Sequence, residues 1–402
     1  MAEALSGAPD LDVAQARILS AQGYAQQAGA ALLPQLDASG KANLARQSYN
    51  NGIPADFVPQ GWNESGQIAG SFSLDLDLWG RNRAALAAAK SDLVAAQAEK
   101  AETELALTTN VAAAYAELAR LFDRREVQQS ALAVRQETLR LVSGRVAAGL
   151  DNRADLKQAE AAVPAASGDL AATDESIALT RNRIAALVGQ GPDRGLTITR
   201  PTISARAIAG VPDNMPVNLL GRRPDIAVAR ARVEAASGRV KVAKADFLPN
   251  VSLNALIGMQ SLGFDKLLKS GSTYGNIGPA ISLPIFHGGT LSGSYRVARA
   301  TYDEAVADYD NTVIAALHDA ADATASHRML EQRLVRAGQA LSDSEEAYSL
   351  ARARYEGGLS TYLDVLTAEE RMLQYRLTVA DLRSRAAVVD VSLIRALGGG
   401  IS

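Results

Sequence analysis

The sequence predicts a mixed α and β membrane protein in which four β-strands per chain enter a barrel shared between copies, with very long helices continuing from it. Three observations carry this reading. The chain repeats itself in order, four runs alternate strictly with period two, and two proline-free stretches of about 66 residues are helical in pattern.

The repeat sets the organisation. Gly149, Leu150, Asp155, Glu160 and Gly189 recur as Gly358, Leu359, Asp364, Glu369 and Gly398, at a constant offset of 209 residues. Upstream, LLPQLDASG at 32–40 is echoed by FLPNVSLNA at 247–255. Each half reads as strand, loop, strand, long helix, tight turn and return helix. The first repeat takes 1–189, a linker 190–221 and the second repeat 222–402.

The strands are expected at about 34–46, 67–79, 249–259 and 275–286. In the first, Leu36, Ala38, Gly40, Ala42 and Leu44 alternate with Gln35, Asp37, Ser39, Lys41 and Asn43. Such alternation puts an apolar row on one face and a polar or small row on the other. A half-buried soluble sheet alternates too, but runs of about 10 residues match a tilted strand crossing a bilayer. Polar loops at 47–66 and 260–273 join each pair. Four strands cannot close a barrel, and an open edge is untenable in lipid. Two chains would supply eight strands, whose interior side chains fill. Three would supply twelve and leave a lumen, so a conducting assembly is expected to be a trimer.

The long helices are expected at 82–147 and 290–356, without proline, each on the order of 100 Å long. In the second, a stripe of apolar or small residues runs from Leu291 through Tyr302, Ala316, Leu330 and Ser344 to Tyr355. Its 18 steps over 64 residues give a period of about 3.56, which predicts a nearly straight helix with a shallow left-handed supercoil. The many Ala and Ser residues in it allow close approach. Glycine turns at Gly149-Leu150-Asp151-Asn152 and Gly357-Gly358-Leu359-Ser360 lead into return helices at 153–188 and 361–397. The linker is rich in Pro and Gly, with a short strand expected around Leu196 to Thr199. Pro224 marks a helix start, and Arg222-Arg223 before it reads as a surface pair.

Composition excludes several function classes. A net charge of −3 gives no basic excess for nucleic acid. Without cysteine there is no disulfide framework or thiolate metal site. No run of about 18 apolar residues offers a membrane helix. His287, His318 and His327 have no metal-ligand spacing, and Glu345-Glu346 and Glu369-Glu370 diverge around a helix instead of converging as an acid/base pair. No nucleotide loop or nucleophile elbow is present. Neither an enzyme nor a cofactor is expected.

The stretch LGRRPDIAVARARVEAASGRVKVAKADFLPNVSL, the SLPIFHGG turn, the GGLSTYLDVLTAEE hairpin tip and the terminal RALGGG resemble the outer-membrane factor family of TolC, OprM and NodT type. The resemblance covers essentially the whole chain. It implies a homotrimer with a twelve-stranded β-barrel in the outer membrane of a Gram-negative bacterium, touching lipid there and continuing into a twelve-helix α-barrel tunnel in the periplasm. It implies docking to a periplasmic adaptor (membrane fusion) protein and, through it, to an inner-membrane pump, for passive export of drugs or other small molecules. Members of the OprM and NodT type begin with a lipidated cysteine and a segment ahead of the first helix. Neither is visible here, so the sequence reads as truncated at its amino terminus.

The resemblance also places functional residues. Asp364 falls on an acidic ring at the periplasmic aperture, Leu363 on an apolar constriction, and Thr367 where a second Asp is common. Asp155 and Tyr355 match positions that lock the two helix hairpins together, with Ser360 where TolC has a locking arginine. The tips Gly149, Leu150, Gly358 and Leu359 are expected to face the adaptor. Independently of family, three carboxylates converging on one axis repel, and so make a cation-attracting, easily biased gate. A solvated helix-start carboxylate is the plainer reading of Asp364. A coiled-coil stalk would explain the helices but not the strands. A pore-forming toxin would have to hide the apolar strand faces before insertion.

Overall fold

The computed structural model describes residues 1–50, 52–202 and 221–399. In chain order it contains α1 (Ala2–Gly7), α2 (Pro9–Ala30), β1 (Gln35–Ala45), β2 (Asn63–Asp75), α3 (Arg81–Ala147), α4 (Arg153–Leu187), α5 (Pro192–Leu196), α6 (Pro224–Ala245), β3 (Asn250–Leu262), β4 (Thr273–Ser282), α7 (Thr290–Glu356) and α8 (Tyr362–Ala396). The lengths recur between the halves: α2 and α6 have 22 residues, α3 and α7 have 67, and α4 and α8 have 35. The chain forms two compact units. One comprises Met1–Gln15, Ala98–Ala227 and Asn311–Ser402, the other Ala16–Gln97 and Val228–Asp310.

The second unit holds one antiparallel sheet in the order β1-β2-β3-β4. Its register sorts the side chains. Leu36, Phe72, Ala255 and Ile277 form one cross-strand row, and Leu74, Leu253 and Pro279 share its face. The intervening rows fall on the opposite face, among them Asp37, Ser71, Leu256 and Asn276, then Lys41, Gln67 and Gln260. One face is therefore apolar and the other largely polar, as the alternation requires. The apolar face is uncovered, with Ile257 70% exposed and β1 exposed along its whole length. On the polar face Gln67 donates a hydrogen bond to the Tyr274 hydroxyl across β3. Gly258 lies between them, and a Cβ there would sit 2.4 Å from the Ile68 carbonyl oxygen.

The strand limits depart from expectation where local chemistry intervenes. β2 runs Asn63–Asp75 instead of 67–79 because Asp77 ends it. Asp77 has φ +44°, and its carboxylate accepts the amides of Asn82 at 2.8 Å and Arg83 at 3.0 Å. That carboxylate thus satisfies two free N–H groups at the start of α3. β4 stops at Ser282, ahead of Pro284, which has no N–H to donate. β3 extends beyond its expected end to Leu262. In the same unit α6 lies close on α3, where a Cβ at Gly238 would be 2.9 Å from that of Ala88, and Arg239 bonds Asp92 at 2.5 Å.

The helices α3, α4, α7 and α8 follow their expected limits within a residue or so. All nineteen positions of the α7 stripe are buried or half-buried, and every fully buried residue of α7 lies in it. The four helices α3, α4, α7 and α8 end alike. At Gly149, Gly189, Gly358 and Gly398 a positive φ accompanies paired returns such as Gly149 N to Val146 O (3.0 Å) and Leu150 N to Arg145 O (2.9 Å), the Schellman geometry. α4 runs through an exposed Pro164.

Two expectations are corrected. The strand foreseen at Leu196 to Thr199 is absent, because Pro192 and Asp193 start α5 and the next amides fold back onto Arg194 and Gly195. Ile198 is nevertheless buried, against Leu118 and Ile184. The rest of that expected linker, 203–220, lies outside the described residues. Arg223 is no surface residue. It is buried, paired with Asp225 at 2.8 Å and Asp319 at 3.0 Å, and reaches the Ala396 carbonyl.

Candidate functional site

Beneath the α3–α4 and α7–α8 turns, four helices share one apolar cluster: Val142 of α3, Ala159 of α4, Tyr355 of α7, and Tyr362, Val365 and Leu366 of α8. Each return helix is capped from its turn. Asn152 Oδ1 accepts the amides of Ala154 (2.8 Å) and Asp155 (3.0 Å). At the other tip Asp364 accepts both the amide (2.9 Å) and the hydroxyl (2.8 Å) of Thr361. The tips themselves protrude, with Leu150 and Leu359 exposed beyond the left-handed glycines Gly149 and Gly358.

The first two turns of α8 are two-faced. Tyr362, Val365, Leu366 and Glu369 are buried. Leu363, Asp364 and Thr367 are exposed together on the other side, where the Thr367 hydroxyl donates to the Leu363 carbonyl at 2.8 Å. The Thr361 hydrogen bonds hold the Asp364 carboxyl below its usual range, so it is a fixed negative charge on that face. Asp364 thus caps the start of α8 while its carboxylate stays in solvent.

The tie between the hairpins differs from the expected one. Tyr355, only 1% exposed, donates its hydroxyl to Asp151 in the α3–α4 turn and not to Asp155. Arg145 completes the knot. Its Nε donates to Asp151 at 2.9 Å, Nη1 donates to the Tyr355 carbonyl at 3.1 Å, and the guanidinium lies 4.5 Å from the Tyr355 ring centroid. Burial works against the Asp151 carboxylate, but the bonds from Arg145 and Tyr355 prevail and hold its pKa below normal. Burial and then Asp151 push the Tyr355 hydroxyl far above its ordinary value. The proton thus stays on Tyr355 and the charge on Asp151. Asp155 sits one helical turn on, at the third residue of α4, half-buried. Its displacement has a simple cause: Asp151 belongs to the turn, whose backbone return brings it under Arg145.

Further ties run from α3 to the second hairpin. Arg352 of α7 bonds Glu137 at 2.6 Å, Arg135 bonds Glu369 of α8 at 3.3 Å, and Arg120 bonds Asp381 of α8 at 2.8 Å. None of these was singled out as a site residue from sequence. One signal was available: Glu369 falls at helical spacing on the apolar row Tyr362, Val365, Leu366, Met372 and Leu373. Among the described residues no His, Cys, Asp and Glu cluster could hold a metal, and no helix is long and apolar enough to cross a membrane.

Comparison with known proteins identifies the lineage. Residues 1–190 and 215–399 match the family model for outer membrane efflux proteins. The crystal structure of the outer membrane protein VceC from Vibrio cholerae superimposes with a TM-score of 0.93 at 44% identity, covering 100% of this chain and 95% of that one. The multidrug resistance outer membrane protein MdtP of Escherichia coli is 30% identical across 98% of this chain and 82% of its own length. The fusaric acid resistance protein FusA of Burkholderia cepacia is 34% identical over 75% of this chain, a match spanning 57% of that relative. The chain belongs to the outer membrane efflux protein family.

Proposed function

We propose that three copies of this chain form a passive export duct of the outer membrane, with a twelve-stranded barrel made of three four-stranded sheets and a periplasmic tunnel of twelve helices. The observation that carries this is the sheet. Its apolar face is uncovered, its other face is largely polar, and among the described residues neither the outer edge of β1 nor that of β4 has a partner. Lipid on the apolar face, water on the polar one and β4-to-β1 pairing between copies would satisfy all three features at once. In this reading Leu363, Asp364 and Thr367 line the periplasmic aperture. The Tyr355–Asp151–Arg145 knot holds it shut, and the tips at Gly149, Leu150, Gly358 and Leu359 meet a periplasmic adaptor serving an inner-membrane pump. Relatives named for multidrug and fusaric acid resistance support a small-molecule cargo.

The test is electron microscopy of protein purified in mild detergent. Three-fold end views with a detergent belt at one end of an elongated particle are expected. A particle that stays monodisperse without detergent, or a fibre, would overturn the duct.

A further inference from the structure

The face of α8 turned away from Leu363, Asp364 and Thr367 carries a carboxylate that the duct reading leaves unused. Glu369 is 1% exposed, the most enclosed charged side chain among the described residues. It accepts from Arg135 Nε at 3.3 Å, and Arg135 spends another donor on the Ala162 carbonyl of α4, also at 3.3 Å. Both bonds are at the long end for N–H···O contacts. One cation therefore spans three helices and serves the buried carboxylate loosely.

The other groups around Glu369 give it little help. Glu370, its neighbour on α8, repels its charge. From α7 comes the Tyr348 hydroxyl, enclosed without a hydrogen-bond partner of good geometry and facing Arg352 and Glu137 farther out. Tyr362 of α8 faces it as well, with Asp155 of α4 beyond. Asp169 of α4 and Arg124 of α3 line the cleft on the Arg135 side. Burial pushes the Glu369 carboxyl above its ordinary range, and Arg135 only partly offsets this. Both tyrosines are shifted upward, away from neutrality.

We propose that Glu369 is a proton-operated positioning residue for the aperture, which seats α8 against α3 when neutral and favours release of α8 when ionised. The inference rests on the reading of Leu363, Asp364 and Thr367 as an aperture. Those residues and Glu369 lie on opposite faces of the same two turns, so a shift of one face moves the other. The direction follows from linkage. A carboxyl whose pKa is raised in the seated form binds its proton more tightly there than in a hydrated, released form, so acid favours seating. Opening therefore increases as pH rises from the ordinary carboxylate range through the raised value.

The experiment is conductance of the purified protein in planar bilayers from about pH 4.5 to about pH 8. A Tyr355→Phe background weakens the knot so that openings are frequent. In that background the open fraction should rise with pH. Adding Glu369→Gln, a neutral isostere, should make it low and independent of pH. Adding Arg135→Gln instead should move the midpoint upward by about one to three pH units, the effect of removing an opposite charge at such range. A merely structural role would not shift a midpoint. If Tyr355→Phe opens the channel but Glu369→Gln keeps the background pH profile, the proton-operated role is refuted alone. If Tyr355→Phe fails to raise conductance at any pH, the knot is not what holds the aperture shut; Glu369→Gln alone is then compared with wild type, and an unchanged pH profile refutes the proton-operated role.

Discussion

Tyr355→Phe is the most incisive change to the hairpin tie, because it deletes one hydrogen bond and almost nothing else. The ring keeps its place under Arg145 and in the shared cluster with Tyr362 and Val365. What disappears is a buried hydroxyl donating to an ionised carboxylate, a bond worth about 1.5–3 kcal/mol net. Asp151 retains the Arg145 bond at 2.9 Å, so its charge is not orphaned and the cost should stay in that range. If the bond exists only while the hairpins are together, the opening equilibrium shifts by roughly 10- to 150-fold, at about 1.4 kcal/mol per tenfold. Single-channel recording in planar bilayers reads this as a higher open fraction. Thermal unfolding in detergent provides the control for general loosening. An open fraction unchanged within twofold would refute the assignment of Tyr355 and Asp151 as a lock.

Other outcomes test separate parts of the molecule. Asp364→Ala should reduce cation selectivity in reversal-potential measurements and loosen the start of α8 in hydrogen exchange, since it removes a fixed charge and half of a capping box. Ile257→Lys, on the apolar sheet face, should cost about 2–4 kcal/mol on insertion into lipid, whereas Asn254→Lys on the polar face should insert like wild type; folding into liposomes followed by gel mobility distinguishes them. The Asp151 pKa is depressed, so its stabilising contribution is complete above the ordinary carboxylate value near 3.8 and is lost as pH falls through the depressed value. The difference in melting temperature between wild type and Asp151→Asn should thus hold from neutral pH to about pH 4 and shrink only below it.

Much of this architecture was legible because it rests on periodicity. The strand alternations predicted the two sheet faces, and the 3.56-residue stripe predicted the buried row of α7, since both follow from backbone geometry alone. What escaped prediction depends on single side chains that act on the backbone. Asp77 stops β2 by capping α3, and Pro192 with Asp193 turns a strand-like Leu-Thr-Ile-Thr into the end of a short helix. The Tyr355 hydroxyl meets Asp151, one turn before the Asp155 that the resemblance implies, because resemblance transfers a position while the bond depends on how the Gly149 turn folds back. A charged pair before a helix is usually solvated, whereas Arg223 is buried because of two acid partners, one of them 96 residues away in the chain.

The repeat supplies an internal control on which residues do more than build the scaffold. Positions 209 apart occupy equivalent places in equivalent hairpins, so backbone geometry is held constant and differences report on use. Arg145 and Arg354 are such a pair. The first is drawn into the knot at the tip, while the second is exposed. Glu160 and Glu369 are another. Glu160 is half-buried and bonded to Lys157 at 2.5 Å, whereas Glu369 is fully enclosed against Arg135. Had burial of this carboxylate been required by the helical hairpin itself, Glu160 would be buried too. The asymmetry instead follows the packing of the hairpins: α8 buries twelve residues and α4 six, at equal length. Of the two return helices, α4 is thus the more solvated and α8 the more deeply seated. Exchanging the two environments tests this division. Lys157→Ala should leave conductance and its pH dependence unchanged, because the Glu160 pair is exposed and worth at most about 1 kcal/mol. Arg135→Gln, which strips the equivalent carboxylate of its cation, should move the pH midpoint of opening. Equal responses from the two variants would mean that the repeat, and not the enclosure of Glu369, governs the behaviour of the tips.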